Sequence, residues 1–165
     1  RSYLDAATRV IRHFAGEIRS FDGDRVMAVF VGSDRNLRAV KAGLGINWAV
    51  DKVLEPRFKA TWPTLGEFWT LNHGVGIDTG DAMVVRGGVR DDNDLVSIGA
   101  APNVAAKLSG LRSKYDVYIT ERVYIDATTA GQIGPNGKNM WPWYTPQAIG
   151  GTTYKVLASA WRWTP

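Results

Sequence analysis

A chain of 165 residues is about the size of one domain, and with 45% of them hydrophobic it can bury a sizeable core. No apolar run approaches the roughly 18 residues of a membrane span. With no cysteine, there is no disulfide and no thiolate metal site. The formal charge of +4 suits a polyanionic partner, a nucleotide or a nucleic acid. The basic residues are scattered, however, and a solvated surface explains them equally well. The chain opens on Arg1 rather than Met, which reads as a processed or partial sequence. The lack of cysteine suits the cytoplasm.

From Tyr3 to Glu17, Leu4, Ala7, Val10, Ile11 and Phe14 recur at helical spacing and predict an amphipathic helix. Arg19 to Val31 reads as a β-hairpin turning on Asp22-Gly23, with Val26 to Val31 a buried strand. A second helix is expected from Arg35 to Leu54. Glu55 to Leu71, rich in Pro and Trp, reads as a loop or an interrupted helix. His73 to Asp78 and Asp81 to Arg86 predict a second hairpin around Thr79-Gly80, followed by a polar connector from Gly87 to Asp94 and a strand over Leu95 to Ile98. Pro102 to Leu111 predicts a helix, Asp116 to Thr120 a strand, and Glu121 to Ala127 a short helix capped by Thr120. Ala130 to Pro146 reads as loop, and Thr152 to Leu157 as the last strand. Helices alternating with hairpins predict an α+β fold, a mixed sandwich of helices on a largely antiparallel sheet, in one domain over residues 1–165.

Read by itself, Asp22-Gly23-Asp24 is either a plain turn or a metal site at the edge of a sheet. Asn103 and Lys107, four residues apart, share one helix face. Alone they read as a cap and a solvated lysine. His13 and His73 are too few for a metal or acid–base assignment. Arg86-Gly87-Gly88 reads as a turn, and the seven tryptophans as packing for the sheet and tail.

Three ordered stretches carry a resemblance: "GEIRSFDGDRVMAVF" (Gly16 to Phe30), "HGVGIDTGDAMV" (His73 to Val84) and "DNDLVSIGAAPNVAAKLSGL" (Asp92 to Leu111). They resemble the catalytic domain of the class III nucleotidyl cyclases, whose core is a ferredoxin-like palm. The "DGDRVMAVF" and "GAAPNVAAKL" forms and the Trp-rich ending look closest to the pyrimidine cyclases of the bacterial Pycsar antiphage systems.

The resemblance implies two Mg²⁺ or Mn²⁺ ions per site, with Asp24 as the family's second metal-binding aspartate. The first belongs to a strand before the opening helix, which is expected to be missing from this chain. Asn103 orients the ribose. Lys107, where the family has arginine, stabilises charge on the α-phosphate without arginine's planar fork. The base-reading positions fall on Ser20 and Val96, with Arg19 and Phe21 beside them. Neither purine-reading pair of the family is present, which favours UTP or CTP over a purine. No lysine stands in register near Gln147 to Gly151 for the terminal phosphates. Lys155 is off by several residues, leaving Arg25, Arg86, Arg90 and Lys138 as candidates. The implied enzyme is a homodimer with sites at its interface, and it makes a cyclic nucleotide for a separate effector. Nucleic acid and membrane are not expected partners. Rival readings are a non-catalytic dimerisation or nucleotide-sensing domain, an atypical adenylate or guanylate cyclase, and a basic nucleic-acid-binding domain.

Overall fold

The computed structural model describes residues 1–87, 94–111 and 113–165, with side chains at 84–97 outside the description. Helix α1 (Ser2–His13) buries Ala7, Val10 and Ile11. It stops short of Glu17, and Gly16 lies so close to the Phe30 ring that a Cβ there would be 2.6 Å away. The chain leaves the helix through Ala15 at φ 56°. Strands β1 (Glu17–Asp22) and β2 (Arg25–Val29) pair antiparallel. Gly23, at φ 59°, supplies the positive φ of their two-residue turn. The expected buried strand is half-buried, since this ladder has two strands and one covered face.

Helix α2 (Arg35–Ala49) runs without a break into a π-helical turn, Val50–Leu54, and then into α3 (Glu55–Thr61) and the single turn α4 (Pro63–Gly66). The stretch after Leu54 is therefore largely helical. Arg38 on α2 ties three segments together. Its guanidinium donates to the carbonyls of Ala15 (3.0 Å) and Ser33 (3.2 Å), and also to that of Val31.

The second hairpin forms elsewhere than expected. Strand β3 (Val75–Ile77) pairs parallel with β6 (Val117–Thr120) rather than with its successor. It is β4 (Met83–Gly87) that pairs antiparallel with β5 (Asp94–Ile98). Most of the expected Gly87–Asp94 connector lies outside the described residues. Helix α5 (Ala100–Leu108) starts two residues before Pro102, which sits in its first turn. Helices α6 (Glu121–Asp126) and α7 (Thr128–Gln132) are short. The stretch expected as loop, Ala130 to Pro146, instead includes the end of α7 and the start of a strand, β7 (Trp143–Ile149), paired with β8 (Thr152–Ser159) through Gly150-Gly151. The central sheet runs β3-β6-β8-β7 with a single parallel pair, so it is largely antiparallel and the fold is α+β.

This sheet separates two helical layers. Alternate residues of a strand face opposite sides. On β3, the Val75 and Ile77 side chains approach Gly43 of α2, while a Cβ at Gly76 would lie 2.0 Å from the Ala105 carbonyl oxygen of α5. One core joins Val40 and Leu44 of α2 to Val117, Ile119 and Leu157. The other joins Val104 and Leu108 of α5 to Tyr118, Val156 and Ala158. A third cluster packs α1 and the first hairpin on the α2 side, through Val10, Ile11, Ile46, Ile18, Val26 and Ala28. Five tryptophans pack against these clusters, but Trp62 and Trp69 remain 56% and 44% exposed. The expectation that all seven pack the sheet and tail is thus corrected for these two, which pack against Phe58 instead.

Candidate active site

Asp24 is the second residue of the two-residue turn and is exposed. Among the described residues it makes no ion pair or hydrogen bond, so its carboxylate is available. It stands near the start of α1, where burial, and after it the negative charge of Asp24, push the Tyr3 phenol above its ordinary pKa. Tyr3 in turn packs 6.3 Å, ring to ring, from His73. Burial holds the His73 imidazole below its usual range, with Asp116 acting weakly in the opposite direction.

A bulge sets the face that Ser20 occupies. Ile18 stands opposite Ala28 and Ser20 opposite Met27, so Arg19 is the extra residue. Ala28 and Ile18 pack toward α1. The inserted residue puts Ser20 on the other face, with Glu17. Arg19 Nη2 donates to Glu17 Oε2 at 2.8 Å, whereas its Nε is buried without an acceptor. Phe21 is 57% exposed at the hairpin tip. Arg19, Ser20 and Phe21 are consecutive on β1, with Phe21 on the face of Val26 and Ser20 on the opposite one. Val96 lies in the other hairpin, opposite Val85, and its side chain is outside the description.

Asn103 and Lys107 are exposed along one side of α5. Asp24 goes with α1 and α2, while α5 lies across the sheet. Within one chain the two groups do not share a face.

Among the candidate phosphate ligands, Lys155 pairs with Glu121 at 3.3 Å. Arg25 and Lys138 are exposed, Arg86 lies in β4, and Arg90 is outside the described residues. A polar cleft of about 270 Å³ lies beside the π-helical turn. Asn47, Asp51, Glu55 and Lys59 line it from one helical stripe, facing His73, Asp116 and Arg162. These groups chiefly tie down the tail and the loop before β3: Asn47 donates to the Trp161 carbonyl, Arg162 pairs with Asp51, and the Leu71 amide donates to Glu55. The sequence reading missed this seam and the bulge, because nothing local in the sequence marks either.

Among the described residues there is no group of three acidic or histidine side chains that forms a metal cage. One free carboxylate still fits a hard divalent cation delivered by a triphosphate, since Mg²⁺ commonly takes one or two carboxylates plus phosphate oxygens. No helix of the described residues is long and apolar enough to cross a membrane.

No protein-family profile matches the chain. It is 44% identical to the uridylate cyclase of Rhodovulum sp. over 75% of its own length and 52% of the relative's. Against the uridylate cyclase of Xanthomonas perforans it is 41% identical over 99% of its length and 68% of the relative's. The chain therefore spans about half to two-thirds of the length of these relatives. Its fold superposes on the guanylyl cyclase Cya2 with a TM-score of 0.77 at 19% identity, covering 97% of this chain and 77% of the other. With 41% identity along nearly its whole length and the matching fold, the chain belongs to the uridylate cyclase family and has the class III cyclase fold.

Proposed function

We propose that the chain converts UTP to 3′,5′-cyclic UMP and pyrophosphate at sites shared between two copies of itself. The observation that carries this reading is the placement of Asp24 and the Asn103–Lys107 pair across the sheet from one another. Two copies arranged about a two-fold axis place Asp24 of one opposite α5 of the other, and generate two equivalent sites.

In such a site Asp24 holds the triphosphate through divalent cations, Mg²⁺ or Mn²⁺, two per site. The chemistry those cations supply is a lowered pKa at the ribose 3′-hydroxyl and neutralisation of the triphosphate charge. Asn103 orients the ribose so that the 3′-oxygen lines up with the α-phosphorus. Once that hydroxyl has given its proton to solvent water, its oxygen bonds to the α-phosphorus, the bond to the bridging oxygen breaks, and pyrophosphate departs. Lys107 stabilises the charge gathering on the α-phosphate oxygens. Ser20 and Val96 hold the base-reading positions, with Arg19 and Phe21 beside Ser20 on the hairpin. The resemblance to the Pycsar branch extends the reading to a cytoplasmic alarm: the cyclic nucleotide made during phage infection is read by a separate effector.

The test incubates the purified protein with Mn²⁺ and each NTP in turn and identifies products by mass spectrometry. Cyclic UMP that vanishes in Asp24→Ala is expected, and a cyclic purine nucleotide would overturn the base assignment. Mixing Asp24→Ala with Lys107→Ala should restore about a quarter of wild-type activity, since half the dimers are mixed and each has one intact site. No restoration would rule out the shared site. A second reading, nucleotide binding without turnover, is favoured by the lysine at position 107. It predicts UTP binding with no pyrophosphate released.

A further inference from the structure

The proposed chemistry leaves one buried carboxylate unused. Asp78 follows β3 directly, and its side chain is 0% exposed. Such a group is costly unless it is paired and hydrogen-bonded. Here Thr120 Oγ1, at the end of β6, donates to Asp78 Oδ1. Arg122 Nε donates to the same oxygen at 2.7 Å, and Arg122 Nη2 donates to Oδ2. Asp78 accordingly raises the Arg122 pKa. The guanidinium also lies 5.6 Å from the Tyr154 ring of β8. This is a bidentate fork, which a lysine cannot reproduce.

The fork pins the corner between β3 and β4, and that corner presses on the start of α5. A Cβ at Gly80 would lie 3.7 Å from the Ala101 Cβ and 3.8 Å from Arg122 Nη1. A Cβ at Gly99 would meet the Asp81 carbonyl oxygen at 2.8 Å. Ala101 is 8% exposed. Helix α5 therefore has two anchors. Gly76 fixes its C-terminal half, at Ala105, Leu108 and Ser109. The corner fixes its first turn, where Asn103 sits two residues after Ala101.

We propose that Asp78 and Arg122 are positioning residues: by pinning the β3–β4 corner they set the first turn of α5 and so the placement of Asn103 against the substrate ribose. This inference rests on the cyclase reading of Asn103. If the corner is loosened while Gly76 still holds the rest of the helix, the first turn can swing without the fold coming apart. Misplacement of a reacting group by about 1 Å can cost roughly 100-fold in rate.

The test measures kcat and KM for UTP in Asp78→Asn, Arg122→Lys, Arg122→Gln and the milder Thr120→Val, well below the melting temperature of each. The first three should lose roughly 10- to 100-fold in kcat with KM within about threefold of wild type. Thr120→Val should lose less, and it carries the test if Asp78→Asn does not fold. Arg122→Lys should be as slow as Arg122→Gln, because charge without the fork does not hold the corner. Wild-type kcat in every variant that folds, with only the melting temperature lowered, would overturn the inference. Full rescue by lysine would overturn it too. A wild-type protein that makes no cyclic nucleotide would instead overturn the cyclase reading itself.

Discussion

The two parts of the proposed site are held in contrasting ways. Helix α5 lies so close on β3 that a single methyl group at Gly76 would strike its backbone. The β1–β2 hairpin is fastened along one face by Ile18, Val26, Ala28 and Phe30, and beyond them its tip is open to solvent, with Phe21 57% exposed. The contrast suits the tasks proposed for them. A carboxylate on an exposed turn is open to a hydrated cation that brings most of its own ligands. An amide that must orient a ribose needs fixed placement. Tight backbone packing is spent on the side that needs placement, and the metal side depends on a turn.

The largest expected effect separates these two parts. Asp24→Ala should cut turnover by about a thousandfold or more, equivalent to about 4 kcal/mol in the barrier. It should change stability by less than about 0.5 kcal/mol, as for other exposed positions. Steady-state assays and urea unfolding on the same preparation check both halves, and a large loss of stability would show the tip to be structural. Gly76→Ala should do the reverse and cost about 3 kcal/mol or more of stability, because the clash is with backbone that cannot rotate away. An unfolding midpoint close to wild type would show that α5 is loosely held after all.

Arg38→Met keeps the apolar stem but removes the donors to the Ala15, Val31 and Ser33 carbonyls. About 2 kcal/mol should be lost in denaturant unfolding, the usual scale for hydrogen bonds from a charged group. A negligible change would mean that water replaces the clamp.

The smallest expected effect is a pH dependence. Burial depresses the folded-state pKa of His73 below the ordinary 6.5. As pH falls, the unfolded chain therefore takes up this proton first. The stabilisation is present above about pH 6.5 and is lost as pH drops through the window between that value and the lower folded one. His73→Gln should flatten the fall in stability over that window, as followed by melting temperature against pH. An unchanged slope would assign the acid sensitivity to other groups.

Much of the fold was legible in the sequence because the signals were local. The apolar spacing of α1 and α2 and the Asp-Gly turn act within a few residues, whereas Thr120, expected to cap α6, gives its hydroxyl to Asp78 instead. The failures were all non-local. Val75 to Ile77 and Met83 to Arg86 each read correctly as a strand, but what pairs with what depends on residues forty positions away: β3 chose β6. Strand β7 went unseen because Pro146 and two tryptophans hid an alternating burial pattern that becomes visible once β8 supplies a partner. Within the proposed site, Asp24, Asn103 and Lys107 were picked out by motif. The face on which Ser20 lies was not, since one bulged residue reverses it.

By itself the sequence determined most of the element types, a hairpin turn at Asp22-Gly23, which the structure sets one residue later at Gly23-Asp24, and the placement of Asn103 and Lys107 on one helix face, because turn chemistry and helical period operate over short spans of chain. Only the tertiary structure decided that Asp24 and α5 stand across the sheet from one another, that Asp78 meets Arg122, and that Gly76 must be glycine. Each of these is a contact between segments far apart in the chain, and its energy comes from burial and close packing that exist only after the layers have closed.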